Sequence, residues 1–248
     1  MAIYGKNAES YREASRLTLF EIVGHSLISR LDDLRGKSVL DLACGAGNQT
    51  RRIKMAGAGR LVGVDISSAM IRLAREEERR DPLGIEYRCC AVQELGAIGT
   101  FDYVTAALLL HYASGYDDLL AMCRTIFANL RPGTRFVTIN DNCGKFAEFP
   151  PTAFARYGLS IEARDPPLEE GGIITVTLSS EGNQVQFDNY YHARKTYERA
   201  LYEAGFVSVS WSPLELPPHL ASTECVEFWE FFLSASPLTV IECKKAPL

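Results

Sequence analysis

The string Val39-Leu-Asp-Leu-Ala-Cys-Gly-Ala-Gly-Asn-Gln-Thr50 joins an apolar run to two closely spaced glycines. It reads as a strand that delivers Asp41 to a sheet edge. In the turn that follows, Gly45 and Gly47 bring the backbone close to a ligand. The helix expected next aims unpaired N–H groups at the same spot, which favours an anion such as a carboxylate. A second run, Arg60-Leu-Val-Gly-Val-Asp65, ends in an acid twenty residues after Gly45. A carboxylate there can accept hydrogen bonds from both hydroxyls of an adenosine ribose. A glycine turn of purely structural purpose is the alternative.

Two other nucleotide signatures fit less well. A nicotinamide dinucleotide calls for G-x-G-x-x-G, whereas Gly45-Ala-Gly47-Asn-Gln is followed by Thr50, so the glycine that allows close helix–strand packing is missing. The G-x-x-x-x-G-K spacing of a triphosphate loop is absent as well. Three later strings offer polar groups beside such a site. Leu108-Leu-Leu-His111-Tyr112 ends an apolar run; His111 suits a general base near neutral pH, or a hydrogen-bonded core histidine. Asn140-Asp141-Asn142-Cys143 is a short polar cluster that suits contact with a heterocycle or carbonyl, or a turn. Asn189-Tyr-Tyr-His192 offers aromatic faces with polar tips, and alternation along a strand sends Tyr190 and His192 to one face and Tyr191 to the other. Candidate substrate contacts are therefore Tyr112, Asn140, Asn142, Tyr190 and His192.

The elements that must position these groups alternate. The first 36 residues read as helical, with apolar residues such as Tyr11, Ala14, Leu17, Ile22, Val23 and Leu27 at three- and four-residue steps. Strands are expected over 37–43, 60–65, 85–90, 101–110 and 134–140. Helices are expected over 49–55, 69–80, capped by Ser67 or Ser68, and 117–130. Such alternation implies βαβ units and a mainly parallel sheet with right-handed crossovers. After Asn140 the pattern changes. Residues 141–172 look irregular, with Phe146, Phe149, Phe154 and Tyr157 read as exposed. Runs 173–179 and 185–191 read as an antiparallel hairpin surplus to the sheet and hence a candidate lid. A helix over 193–204, a strand over 206–211, a helix over 223–233 and a strand over 238–243 complete the chain.

Composition narrows the class. The chain has 248 residues, is 47% hydrophobic and 23% charged, and carries a net charge of −5, which suits one globular domain. The acidic balance argues against binding nucleic acid through phosphate neutralisation. No apolar run reaches the roughly 18 residues of a membrane span, and the first residues lack the apolar core of a signal peptide. The seven cysteines include no C-x-x-C and the four histidines stand far apart, so no metal site is expected and reduced thiols in a cytoplasmic protein are. A monomer and a homodimer both remain open.

Taken together, Val39–Gly47, Gly63–Met70, Phe101–Leu110 and Leu130-Arg-Pro-Gly-Thr-Arg-Phe136 resemble the successive motifs of class I S-adenosylmethionine-dependent methyltransferases. The stretch Tyr190–Phe206, containing YERALYEAGF, is similar to small-molecule enzymes of secondary metabolism such as the toxoflavin-type N-methyltransferases. The resemblance implies a Rossmann-like α/β fold, a doubly wound seven-stranded sheet with its last strand antiparallel. It divides one domain into an N-terminal helical cap (1–36), a cofactor-binding core (37–140), a lid insertion (141–192) and the rest of the sheet (193–248). It also implies S-adenosylmethionine as cofactor, with S-adenosylhomocysteine as product. Gly45 and Gly47 would pass under its methionine part near Asp41 and Ala43, Asp65 would take the ribose, and Ile66 and Met70 would flank the adenine. Ala91, Val92, Gln93 and Ala106 complete the implied cofactor contacts. Ala91 stands where many relatives carry the Asp that binds the adenine amino group. An N-terminal Y-x(6)-Y pattern, here Tyr4 and Tyr11, closes the site in similar enzymes. The activity implied is methyl transfer to a small molecule by in-line displacement, with His111 as a candidate base. A non-methylating cofactor-binding or regulatory protein, or a nucleotide-dependent oxidoreductase on the same fold, is the alternative.

Overall fold

A computed structural model describes residue 14 and residues 17–180 and 183–248. Strands β1 (Val39–Leu42), β2 (Leu61–Asp65) and β4 (Phe101–Ala107) are buried along nearly their whole length, because helices cover both faces of the sheet they form. With β3 (Ile85–Cys89), β5 (Leu130–Asp141), β9 (Ser208–Ser212) and β10 (Leu238–Lys244) they make a seven-stranded sheet of order β3-β2-β1-β4-β5-β10-β9. Its first five strands are parallel, and β10 is antiparallel to both neighbours. The chain winds outward in both directions from β1 and β4, so a crevice forms where the winding reverses, beyond the carboxyl ends of those two strands.

The helices are α1 (Thr18–Ile28), α2 (Asn48–Met55), α3 (Ser68–Arg80), α4 (Tyr116–Asn129), α5 (Arg194–Ala204) and α6 (Thr223–Ala235). Ser67 caps α3, its hydroxyl accepting from the Met70 N–H at 3.3 Å. Regular helix in the described part of the first 36 residues is limited to α1 and residue 14. β4 stops at Ala107, three residues short of the expectation, and a 3₁₀ turn, Leu110–Tyr112, carries His111.

Residues 141–172 are more ordered than their composition suggests. They contain a strand, β6 (Leu159–Ala163), that pairs with β7 (Ile173–Ser180) beside β8 (Asn183–Tyr190), so the expected hairpin is a three-stranded antiparallel sheet. Its inner face alternates correctly: Leu159 and Ile161, Ile174, Val176 and Leu178, and Val185 and Phe187 are buried in one apolar cluster with Leu19, Phe20 and Val23 of α1. The aromatic residues expected at the surface are also buried. Phe146, Phe154 and Tyr157 are at most 3% exposed. Phe149 stacks edge-on to Phe231 of α6 at 5.4 Å, and Tyr157 lies 4.8 Å from Trp229. They face α6 because its own aromatic stripe needs a partner. Among the described residues no helix is long and apolar enough to cross a membrane, and no cluster of side chains suits a metal ion.

Candidate active site

The turn after β1 is built from left-handed backbone. Ala43, Gly45 and Gly47 have φ of 52°, 54° and 88°. At Gly47 glycine is also required by space, since a Cβ there would lie 2.5 Å from the Tyr87 hydroxyl. A Cβ on Gly45 would meet nothing within 4 Å, so this glycine faces open space. Asp65 fastens the turn to β2: Oδ2 accepts from the Gly45 N–H at 2.9 Å and Oδ1 from the Ser67 N–H at 2.8 Å. Burial pushes its carboxyl above the usual range against the pull of those two bonds. Asp41 is more deeply enclosed. Its oxygens accept from Thr50 Oγ1 at 2.6 Å and Thr105 Oγ1 at 2.9 Å, tying β1 to α2 and β4. Burial is the larger effect and raises its carboxyl to about 6.

Beside this turn lies a cleft lined by Phe20, Ala43, Gly45, Gln49, Ala107 and Leu108. Gln49 Nε2 donates to the Phe20 carbonyl at 2.7 Å, and a Cβ at Gly24 would overlap Gln49 Oε1. Phe20 and Leu108 also line a second space of about 50 Å³ under the inner face of the three-stranded sheet. Its walls are aliphatic and aromatic except for His111, Asp141 and Asn189. His111 is 2% exposed and Nδ1 sits 3.5 Å from Asp141 Oδ1. That oxygen accepts from Asn140 Nδ2 at 2.9 Å and the Tyr197 hydroxyl at 3.2 Å. Asp141 Oδ2, Asn189 Oδ1 and both His111 ring nitrogens have no hydrogen-bond partner among the described residues.

Backbone strain gathers at the same place. The four described non-glycine residues with positive φ are Ala43, Leu108, Cys143 and Ser236. They follow β1, β4 and β5 and precede β10, and Leu238 of β10 pairs with Asp141 of β5, so all four lie along one edge. Such conformations cost about 1–3 kcal/mol each and collect at functional sites.

Residues 39–133 match a family model described as a methyltransferase domain. The chain is 26% identical over 223 residues to the N-demethylindolmycin N-methyltransferase of Streptomyces griseus, covering 86% of this chain and 90% of that one. It is 31% identical over 119 residues to the ubiquinone biosynthesis O-methyltransferase of Chromobacterium violaceum, an overlap of 46% of this chain and 50% of the other. Its fold superposes on the crystal structure of an S-adenosylmethionine-dependent methyltransferase from Mesorhizobium loti with a TM-score of 0.62, at 19% identity, covering 90% and 98% of the two chains. Over residues 39–133 the chain is similar to methyltransferase domains, and it shares the fold of S-adenosylmethionine-dependent methyltransferases.

The open space over Gly45 suits part of the cofactor, since a side chain there would intrude on the cleft. Ile66 is 51% exposed, while Met70 is buried against Leu73 and Ala46. Ala91 precedes a 3₁₀ turn containing buried Val92, and the Gln93 amide donates to the Asp118 carboxylate. Ala106 turns into the apolar core beneath the sheet, and its neighbour Ala107 lines the cleft instead. The register of β4 decides this, because successive residues face opposite sides. Tyr4 and Tyr11 lie outside the described residues.

On the acceptor side the three polar strings are divided. Asn140 is fully buried, donating to the Tyr197 hydroxyl at 3.0 Å and accepting from the His111 N–H at 3.3 Å. Asn142 donates to the Ser236 carbonyl at 2.9 Å. His192 has both ring nitrogens held, Nδ1 at 2.8 Å from Glu170 and Nε2 at 2.9 Å from the Ala113 carbonyl. None of these three lines the cavity except through its neighbours. Tyr190 faces away from it, since Asn189 keeps phase with inward Val185 and Phe187. Tyr112 does not line the cavity either; its half-buried ring lies edge-on to His111 at 4.8 Å. Asp141 and Asn189 are the cavity groups the sequence reading passed over. The signal for Asn189 was its even spacing from Val185 and Phe187.

Proposed function

We propose that this chain is a methyltransferase that alkylates a small molecule held under the three-stranded sheet, with the cofactor in the adjoining cleft. The observation that carries the reading is the pair of spaces sharing Phe20 and Leu108 as walls, one beside the glycine turn and one apolar with unpartnered polar groups. An apolar cavity of this small size fits a small acceptor and not a macromolecule. When bound, S-adenosylmethionine supplies a methyl carbon on a sulfonium and leaves as S-adenosylhomocysteine.

In this reading Gly45 and Gly47 pass beneath the methionine part, and Asp65 takes the ribose hydroxyls with the lone pairs its backbone bonds leave free. Ile66 and Met70 flank the adenine, with Ala91, Val92 and Gln93 at its edge. Residues 37–140 serve as cofactor core and 141–192 as acceptor cover. Alignment and exclusion of water then supply much of the rate. His111 takes the acceptor's proton, held by its backbone bond to Asn140 and its place beside Asp141. The names of the relatives support a role in making a small metabolite, and the unbridged cysteines suit a cytoplasmic enzyme.

The test is incubation with labelled methyl donor and metabolite extracts, following S-adenosylhomocysteine by mass spectrometry. Acceptor-dependent product is expected, and His111→Ala should lower turnover by roughly 10²-fold with cofactor affinity intact. Cofactor binding without any acceptor-dependent product would overturn methyl transfer to a small molecule. Full turnover in a folded His111→Ala protein would remove the base.

A further inference from the structure

We infer that the acceptor is a compact, apolar-bodied amine whose nitrogen-bound hydrogens are read jointly by Asp141 and Asn189. The inference rests on the small-molecule reading above and names the chemical class of its acceptor. Three elements bring the polar groups together: Asp141 ends β5, Asn189 lies near the end of β8 in the second sheet, and His111 sits on the turn after β4. Asp141 and Asn189 are 7% and 4% exposed; each has a buried oxygen without a partner, and both line a cavity whose other walls include Val23, Ile161, Leu178 and Phe187. A buried acceptor left without a donor is unfavourable, and a carboxylate oxygen more so. No lysine or arginine is among the described lining residues, so Oδ2 of Asp141 has no cationic side chain to face.

Counting donors separates the chemical classes. A carboxylic acid would set like charge against Asp141. An alcohol or phenol has one hydrogen for two waiting oxygens. An amine carries enough hydrogens for both, and its cationic form makes the stronger, charge-assisted bond to a carboxylate. The apolar walls take the carbon skeleton. For the reaction, the neutral nitrogen's lone pair forms the N–CH₃ bond as the S–CH₃ bond breaks with its electron pair left on sulfur. The proton released from nitrogen passes to His111, beside the same carboxylate.

The experiment loads the full chain with S-adenosylhomocysteine and titrates it calorimetrically with matched amines, alcohols and carboxylic acids on ethyl, propyl and allyl skeletons, sized to the cavity of about 50 Å³. An amine is expected to bind at least tenfold more tightly than the alcohol of the same skeleton, and the acids not at all. Asp141→Asn and Asn189→Leu should each weaken the amine at least tenfold and leave the alcohol within threefold. Asn189→Asp, which adds a carboxylate without adding bulk, should retain or tighten the amine even if Asp141→Asn fails to fold. Methylation of the bound amine should place the new carbon on nitrogen by fragment mass. The inference is overturned if alcohols or acids bind as well as amines, if both weakening variants leave the amine unchanged, or if no amine binds a protein that holds S-adenosylhomocysteine. Failure to hold S-adenosylhomocysteine strikes the underlying reading instead, so the two failures are told apart.

Discussion

Asp41 carries a cost that solution measurements can read. Its carboxyl lies at about 6 in the folded chain against 3.8 when exposed, so between those values the folded state keeps a proton that the unfolded chain has released. Stability therefore falls as pH rises through that window, by up to about 3 kcal/mol. Asp41→Asn keeps an acceptor for one threonine and removes the charge. Its melting temperature should match the parent near pH 4 and exceed it increasingly up to about pH 6, then run parallel. A difference that ignores pH would mean the carboxylate is not desolvated in solution. The glycine turn and Asp65 were legible in the sequence because strand, turn and acid have fixed spacings dictated by backbone geometry. The polar groups lining the cavity were less so. Asn189, Tyr190 and His192 are near neighbours, and a shift of one residue in strand phase decides which side chain faces the cavity. His192 looked chemical by type, yet its partners Glu170 and Ala113 are distant in sequence and invisible to local reasoning.

At the scale of elements, β1, β2 and β4 announced themselves as unbroken apolar runs because both their faces are covered. β6 did not, since its five residues sit among prolines and acids and gain their place by pairing with β7. Its presence changes what removing the hairpin would do. Ile174, Val176, Leu178, Val185 and Phe187 are packed on α1, so replacing 173–190 with a short Gly-Ser turn would strip that helix of its cover. We expect the excised protein to aggregate or melt early, where a freely hinged cover would leave folding intact. A milder version is Leu178→Ala, at a side chain 2% exposed. It should cost about 2–4 kcal/mol in guanidinium denaturation. A loss below about 1 kcal/mol would show the second sheet to be only loosely docked.

For the whole molecule, the cofactor should act as a structural brace, because the cleft proposed for it draws walls from α1, the β1 turn and the end of β4. S-adenosylhomocysteine at a hundred times its dissociation constant should add about 2.7 kcal/mol. In a chain of this size that is a rise of roughly 5–10 °C in melting temperature. Asp65→Asn, which keeps one oxygen for the turn, should bind the product at least tenfold more weakly and need correspondingly more of it for the same rise. An unchanged dose response would remove Asp65 from the ribose role.

The hydrogen bond from Gln49 to the Phe20 carbonyl bears on how such a catalyst can diversify. The bond is made to main chain, so it survives whatever side chain stands at position 20. Under the proposed function, Leu19, Phe20 and Val23 thus form a patch of α1 where a mutational library can explore new acceptors while that anchor beside the glycine turn is retained. Gly24 is the exception within that window. Any side chain there would push Gln49 aside and break the anchor, so a library that randomises 19, 20 and 23 should hold 24 constant.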